Sequence, residues 1–167
     1  MAQHSIESLF AQYHESLVRM LYRRTGDRDR AEDLAQEVFA RALTTPPDNP
    51  RPWLFAVALN LVRDDGRRAV RQGRQLQLLK AESTTTSPGP DHDYEKEQQL
   101  RAVRAALDEM NERDRDVLLL KAEGFNYDEI AATTGLAKGA IGTTLARARR
   151  RLVEAYRKQD KDRYAAS

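Results

Sequence analysis

The stretch Asn126–Leu152, NYDEIAATTGLAKGAIGTTLARARRRL, decides how the rest of the chain is read. It reads as two short helices joined by a tight turn, the second ending in a dense cluster of arginines. The first helix spans Tyr127–Thr134, with Ile130 and Ala131 facing inward. Gly135, four residues after Ala131, stands where a helix end calls for a positive φ. Leu136 and Ile141 supply apolar contacts for the second helix. A small residue, a glycine four on and an aliphatic residue six further on is the packing pattern of a helix-turn-helix. The bland alternative is an ordinary helical hairpin in an all-α core.

Working outward, the 167 residues allow one ordinary domain or two small ones. Charged residues make up 32% of the chain and the mean hydropathy is −0.74, so the chain is expected to be soluble with small cores. No run approaches the ~18 apolar residues of a membrane span. The first residues, MAQHSIESLFAQYHES, have no basic n-region and no apolar h-region, so they do not read as a secretory signal. The absence of cysteine excludes disulfides and thiolate metal sites and fits a reducing cytoplasm. His4, His14 and His92 are too scattered for a metal site, and no metal or cofactor is expected.

The net charge of +2 conceals blocks. Residues 1–50 have net charge −2, residues 51–80 +5, residues 81–137 −7 and residues 138–167 +6. Two basic blocks, each following a more acidic one, point to two contacts with a polyanion. Solvated helix faces would explain either block alone. One of the blocks already sits on a candidate helix-turn-helix, which makes nucleic acid the better reading.

Apolar steps of three and four at Ile6, Leu9, Phe10, Tyr13, Leu17, Met20 and Leu21 predict a helix over Ser5–Arg24, capped by Ser5 and ended by Gly26. A second helix, capped by Asp27 or Asp29 and running to about Leu43, buries Ala31, Leu34, Ala35, Val38, Phe39 and Ala42. Its other face shows Glu32, Asp33, Gln36 and Glu37. Acids in the first turns suit the helix dipole, and a docking surface for a basic partner is the alternative. Thr44–Pro52 is a proline-rich break. Trp53, Leu54, Val57, Ala58, Leu61 and Val62 then form a helical stripe that turns basic from Arg63. Residues 81–93, AESTTTSPGPDHD, have the composition of a linker. Beyond it come a long helix over Tyr94–Met110 and a short one begun at Asn111 or Asp114 and stopped by Gly124. The helix-turn-helix follows, with a last helix that frays into the polar tail KQDKDRYAAS. The expected fold is all-α: two small helical domains, 1–80 and 94–167, joined by a flexible linker at 81–93, the second a four-helix unit containing the helix-turn-helix.

Two phrases now stand out together. AEDLAQEVFARAL followed by RPWLFAVALNLVRDDGRR resembles the core-binding and promoter-melting domain of bacterial sigma factors. ALDEMNERDRDVLLLKAEGFNYDEIAATTGLAKGAIGTTLARARRRL resembles their promoter-reading C-terminal domain. The short linker is similar to that of the extracytoplasmic-function (ECF) group. The resemblance covers about Ile6 to Arg151.

The resemblance implies roles. Asp33, Gln36 and Glu37 match the face that docks on the coiled coil of the largest polymerase subunit, and Trp53, Leu54 and Phe55 match the packing core of the melting region. Asn60 matches a position facing the non-template strand of the minus-10 element, where an amide both donates and accepts at a base edge. The Thr44–Arg51 loop matches one that captures a flipped base, with Asp48 and Asn49 as its hydrogen-bonding groups. Arg63, Arg67, Arg68 and Arg71 would hold phosphates. At the start of the recognition helix the family usually carries Thr, a basic residue two on, then Ser-Arg. Here those positions are Ala140, Gly142, Thr143 and Thr144. Lys138, Thr143, Thr144 and Arg147 remain as minus-35 contacts, and Arg149, Arg150 and Arg151 are better placed for phosphates. Base-specific readout there is expected to be weak.

The implied function is that of an ECF-type sigma factor, which binds core RNA polymerase, directs it to a promoter subset and helps open the minus-10 region. It is not expected to be an enzyme, since no nucleophile with its base, paired carboxylates or phosphate-binding glycine loop is evident. The alternatives are a helix-turn-helix regulator and a sigma-like adaptor without initiation activity. The AEDLAQEVF and WLFAVALN phrases argue against the first, and the intact basic residues after Asn60 against the second. Family members are often held by an anti-sigma protein, which the resemblance makes a candidate partner.

Overall fold

The computed structural model describes residues 4–71 and 94–165, and the 81–93 linker lies outside them. Among the described residues there are seven helices and no strand: α1 (Ile6–Thr25), α2 (Arg28–Thr44), α3 (Pro50–Arg71), α4 (Tyr94–Asp108), α5 (Glu112–Ala122), α6 (Tyr127–Thr134) and α7 (Lys138–Ala165).

Short polar side chains set most of the boundaries. Ser5 Oγ accepts from Ser8 N at 3.1 Å and Asp27 Oδ1 from Arg30 N at 3.2 Å, each satisfying an N–H that the first turn leaves open. α1 ends at Gly26, whose φ of 69° an L side chain rarely adopts and whose N–H returns to Tyr22 O at 2.7 Å. A Cβ at Gly26 would also meet the Arg104 guanidinium of α4, the end of a flexible side chain that can swing aside, so it is the positive φ that calls for glycine here.

The proline break is shorter than expected. α3 begins at Pro50, and Trp53 N already donates to Asn49 O at 3.3 Å. Pro50 and Pro52 both fall in the first turn, where a missing N–H costs nothing. All six residues expected on the apolar face of α2 are buried. The α3 stripe is rotated from its expected position: Leu54, Phe55, Ala58, Leu59 and Val62 are buried, whereas Trp53, Val57 and Leu61 are half-buried. The cause is a second neighbour. α3 packs on α1 and α2 and also on α6 of the second half, and Phe125, in the turn before α6, lies against Phe55. The Phe55 and Phe125 rings meet edge-on with centroids 4.8 Å apart.

In the second half Asn111 Oδ1 caps α5 by accepting from Asp114 N at 2.9 Å. Asn126 and Glu129 form a reciprocal capping box that starts α6: Asn126 Oδ1 accepts from Glu129 N at 2.8 Å, and Asn126 N donates to Glu129 Oε1 at 3.0 Å. Gly135, at φ 78°, ends α6 at the expected residue. Ile130, Ile141, Leu145 and Ala148 fill the interior against which α6 and α7 cross. The final helix does not fray at Lys158. It continues to Ala165 because it packs along α4, with Gln159 Nε2 donating to Glu109 Oε1 at 3.1 Å. A single apolar cluster runs through both halves, which touch through α3–α6 and α1–α4.

Candidate functional site

Three surfaces carry the residues singled out above. On α2, Asp33, Gln36 and Glu37 are all exposed, one turn apart on the face opposite the buried stripe. Glu37 accepts from Arg41 Nε at 3.2 Å. Beside them the half-buried Trp53 and Val57 line a shallow groove with Ala40 and Thr44.

On α3 and the loop before it, Asp48, Asn49, Asn60, Arg67 and Arg68 are exposed. Asn60 Oδ1 accepts from Arg63 Nη1 at 3.1 Å, so one of its acceptor positions is taken. Arg63 is not a free phosphate ligand. Its guanidinium reaches Asp116 at 2.7 Å and Glu112 at 3.0 Å, and Glu112 also lies 3.5 Å from Arg67. Arg71 is the last residue of α3, and its side chain is outside the described set.

Asp116 is almost fully buried in this contact. Burial pushes its carboxyl up to about 6, against the pull of Arg63 and Arg115. Arg115 is itself buried; desolvation lowers its pKa, and its Nη1 donates to Met110 O at 3.5 Å.

On the helix-turn-helix, Lys138, Thr143, Arg149, Arg150 and Arg151 are exposed and Arg147 is half-buried. Thr144 requires a correction: it is 5% exposed and faces the core between the buried Ile141 and Ala148, so it cannot touch a base. The i, i+3, i+4 spacing of α7 puts it on the packed stripe with Leu145. Arg147 and Arg151, expected on DNA, instead converge on the carboxylate of Asp114 at 3.0 and 2.8 Å. Asp114 has no exposed surface. Burial alone would raise its pKa, but the hydrogen bond and charge of Arg147, the charge of Arg151 and the Asn111 amide outweigh it and hold the group below the ordinary 3.8. Lys138 pairs with Asp128 at 2.8 Å, which raises its pKa. At the depleted reading position, the Tyr127 ring lies 3.5 Å from where a Cβ of Gly142 would stand.

The reading of the residues missed Asp114, Asp116 and Glu123. Asp114 sits in the first turn of α5, where by sequence it is a dipole partner and no more, while Asp116 lies further along that helix and Glu123 just past its end, where nothing local calls for an acid. Only their burial against arginines from elsewhere marks them. Glu123 has a side chain with no exposed surface, held by Arg19 and Arg23 of α1 at 2.8 Å each.

Residues 9–72 match the family model for sigma-70 region 2, and residues 100–152 match that for sigma-70 region 4. The chain is 37% identical over 134 residues to the ECF RNA polymerase sigma factor EcfG of Rhodopseudomonas palustris, covering 77% of this chain and 72% of that one. It is 30% identical over 152 residues to the RNA polymerase sigma factor YlaC of Bacillus subtilis, covering 87% and 88%. Among solved structures it is similar to CnrH in complex with the cytosolic domain of CnrY, with a TM-score of 0.64 and 25% identity over 92% of this chain and 88% of that one. It shares the fold of the sigma factor RpoE from Bartonella quintana, seen in complex with the anti-sigma factor NepR: the TM-score is 0.62 and the identity 22%, over 90% and 96%. The chain belongs to the sigma-70 family, in its ECF group. As a member it binds core RNA polymerase and directs it to promoters to initiate transcription.

Proposed function

We propose that α2 docks on polymerase while α3 and α7 divide the promoter between them. The observation that carries this is the arrangement of α2 and α3. The exposed carboxylates Asp33 and Glu37 and the amide of Gln36 sit on one helix face, and Asn60, Arg67 and Arg68 sit on the next helix. Asp33, Gln36 and Glu37 meet a basic surface of the largest subunit. Asn60 addresses a base of the minus-10 element, Asp48 and Asn49 hold a flipped base from their short loop, and Arg67, Arg68 and Arg71 hold phosphates, joined by Arg63 only after it leaves Asp116 and Glu112.

At the minus-35 element Thr143 is the exposed polar residue at the start of the reading helix, with Lys138 beside it. Arg149 and Arg150 meet phosphates. Arg147 and Arg151 join them only after leaving Asp114. With Gly142 under Tyr127 and Thr144 in the core, this half supplies affinity more than sequence choice. The functional units are residues 1–80 and 94–167 with the 81–93 linker between them.

The protein performs no chemistry of its own, since family members are transcription initiation factors. It works in the cytoplasm with the polymerase; no helix among the described residues is long and apolar enough to cross a membrane. An anti-sigma protein is a candidate partner, as the Bartonella quintana RpoE is seen with NepR.

Run-off transcription from a cognate promoter with purified core polymerase tests the assignment. Specific transcripts are expected without any other sigma factor. Their loss in Asn60→Ala, with polymerase binding retained, supports the minus-10 role. Undiminished transcripts from that variant overturn it.

A further inference from the structure

The first turns of α7 are nearly bare on their outer side. By the 3.6-residue period Gly139, Gly142, Thr143 and Ala146 share that side, and among these four Thr143 alone carries a polar side-chain atom. Lys138, at the start of the helix, is paired with Asp128 at 2.8 Å, and Arg147 with Asp114 at 3.0 Å. A side chain from another helix lies over the bare face. Tyr127, the first residue of α6, has ring carbon Cε2 3.5 Å and its hydroxyl oxygen 3.7 Å from where a Cβ of Gly142 would stand. The ring therefore fills the space beside which a longer side chain at 142 would leave the helix. It is also 44% exposed, which leaves a large apolar surface beside the N-terminal turns of the helix that enters a major groove.

We propose that Tyr127 is the specificity-determining residue of the minus-35 contact: its ring takes the place of the missing side chain at 142 and selects thymine by its 5-methyl group. This deepens, and rests on, the reading given above that α7 meets the minus-35 duplex.

The chemistry of the face favours thymine. Guanine and adenine are read by paired hydrogen bonds from Arg, Lys, Asn or Gln, and Gly139, Gly142, Thr143 and Ala146 supply none of these. The thymine methyl is the group on a major-groove base edge that an apolar surface recognises. Here that surface is the Tyr127 ring together with the methyl groups of Thr143, the next residue after Gly142, and Ala146, one turn beyond it. The ring is also held in position. Asn126 and Glu129 fix the start of α6 by their capping box, and Lys121 of α5 brings its ammonium to 5.8 Å from the ring centroid. Two torsions place a tyrosine ring, so ordering it against a base costs little side-chain entropy.

The test uses the full chain assembled with core RNA polymerase. Duplexes randomised over an upstream window of about one helical turn are selected for binding by the wild type. The selected duplex is then made with each upstream thymine replaced in turn by deoxyuridine. Uracil lacks only the methyl, so the phenol hydroxyl cannot tell the two bases apart. Wild-type affinity is expected to fall about fourfold at one or two positions, the loss of one buried methyl group, and to hold at the others. Tyr127→Phe keeps this discrimination, and Tyr127→Ala removes it. Equal affinity for thymine and uracil at every upstream position, or a selected window without thymine, overturns the proposal. So does a Tyr127→Ala variant that binds every duplex more weakly but still prefers thymine, which is what a purely packing role would give. Discrimination lost in Tyr127→Phe overturns the assignment to the ring. If Tyr127→Ala melts early, Tyr127→Gln replaces it and is held to the same readout. Arg149→Ala/Arg150→Ala judges the underlying reading separately. It should weaken all upstream duplexes alike and flatten the salt slope by up to ~1.8, and an unchanged slope overturns the contact of α7 with the duplex. A flattened slope without thymine discrimination overturns the role of Tyr127 alone.

Discussion

Replacing Asp114 with asparagine should destabilise the second half and at the same time release two arginines toward DNA. Asp114 is buried, capped by Asn111 at one side and held by Arg147 and Arg151 at the other. A hydrogen bond to a charged group contributes ~1.5–3 kcal/mol when sheltered, and an exposed ion pair only ~0.2–1 kcal/mol. The carboxylate is sheltered while the arginine side chains are 39% and 50% exposed, so the loss at Asp114 lies toward the lower end of the first range. The variant should lose about 2 kcal/mol, a melting shift of about 4–8 °C for a chain of this size. Far-UV circular dichroism at neutral pH measures it.

The pH dependence supplies an independent check. The folded pKa lies below the ordinary 3.8, so the stabilisation is fully present above that value and fades as pH falls through the lower folded one. The gap between wild type and D114N should therefore be constant from neutral pH down to about 5 and should close in stronger acid. A melting difference under about 1 °C at neutral pH, or one that widens in acid, would refute the view that Asp114 ties α5 to α7 as an ionised carboxylate. The two freed guanidiniums should also steepen the salt dependence of duplex binding, by up to ~1.8 in the logarithmic slope.

Other perturbations separate the remaining surfaces. Asp116 has a folded pKa raised to about 6, so wild type should gain stability over D116N as pH falls from about 6 toward 3.8, by about 3 kcal/mol in total; a flat difference in denaturant midpoint between pH 7 and about 4.5 rules this out. Asp33→Arg should abolish core polymerase binding in a pull-down while leaving the melting temperature unchanged, because the side chain is exposed; normal transcription from that variant would dismiss the docking face. Gly142→Lys meets only the Tyr127 ring at ordinary contact distance, so it should fold. It should also tighten duplex binding and add about 0.9 to the salt slope, and an unchanged slope would mean that this face of α7 does not meet DNA.

The helices and most of their ends were legible because local chemistry decides them. Ser5, Asp27 and Asn111 accept from a backbone N–H three residues on, and Gly26 and Gly135 take the positive φ that closes their helices. The full apolar face of α2 could be read because α2 packs within its own half, on α1 and α3. The α3 stripe could not be placed correctly, because Phe55 is buried by Phe125 from 70 residues further along the chain, and no periodicity within α3 encodes that neighbour.

The same distinction explains which site residues kept their expected freedom. Asp33, Gln36, Asp48 and Asn49 are exposed as their polar, local setting implies. Arg63 and Arg151 read as phosphate ligands and Arg147 as a minus-35 contact, yet each is already paired with an acid brought in by folding. A composition count treats every arginine as available positive charge, whereas the fold sets which of them must first be released. Net charge therefore overstates the standing affinity of this chain for DNA. Its two basic blocks overstate the free positive charge, because Asp114 and Asp116 already hold part of it.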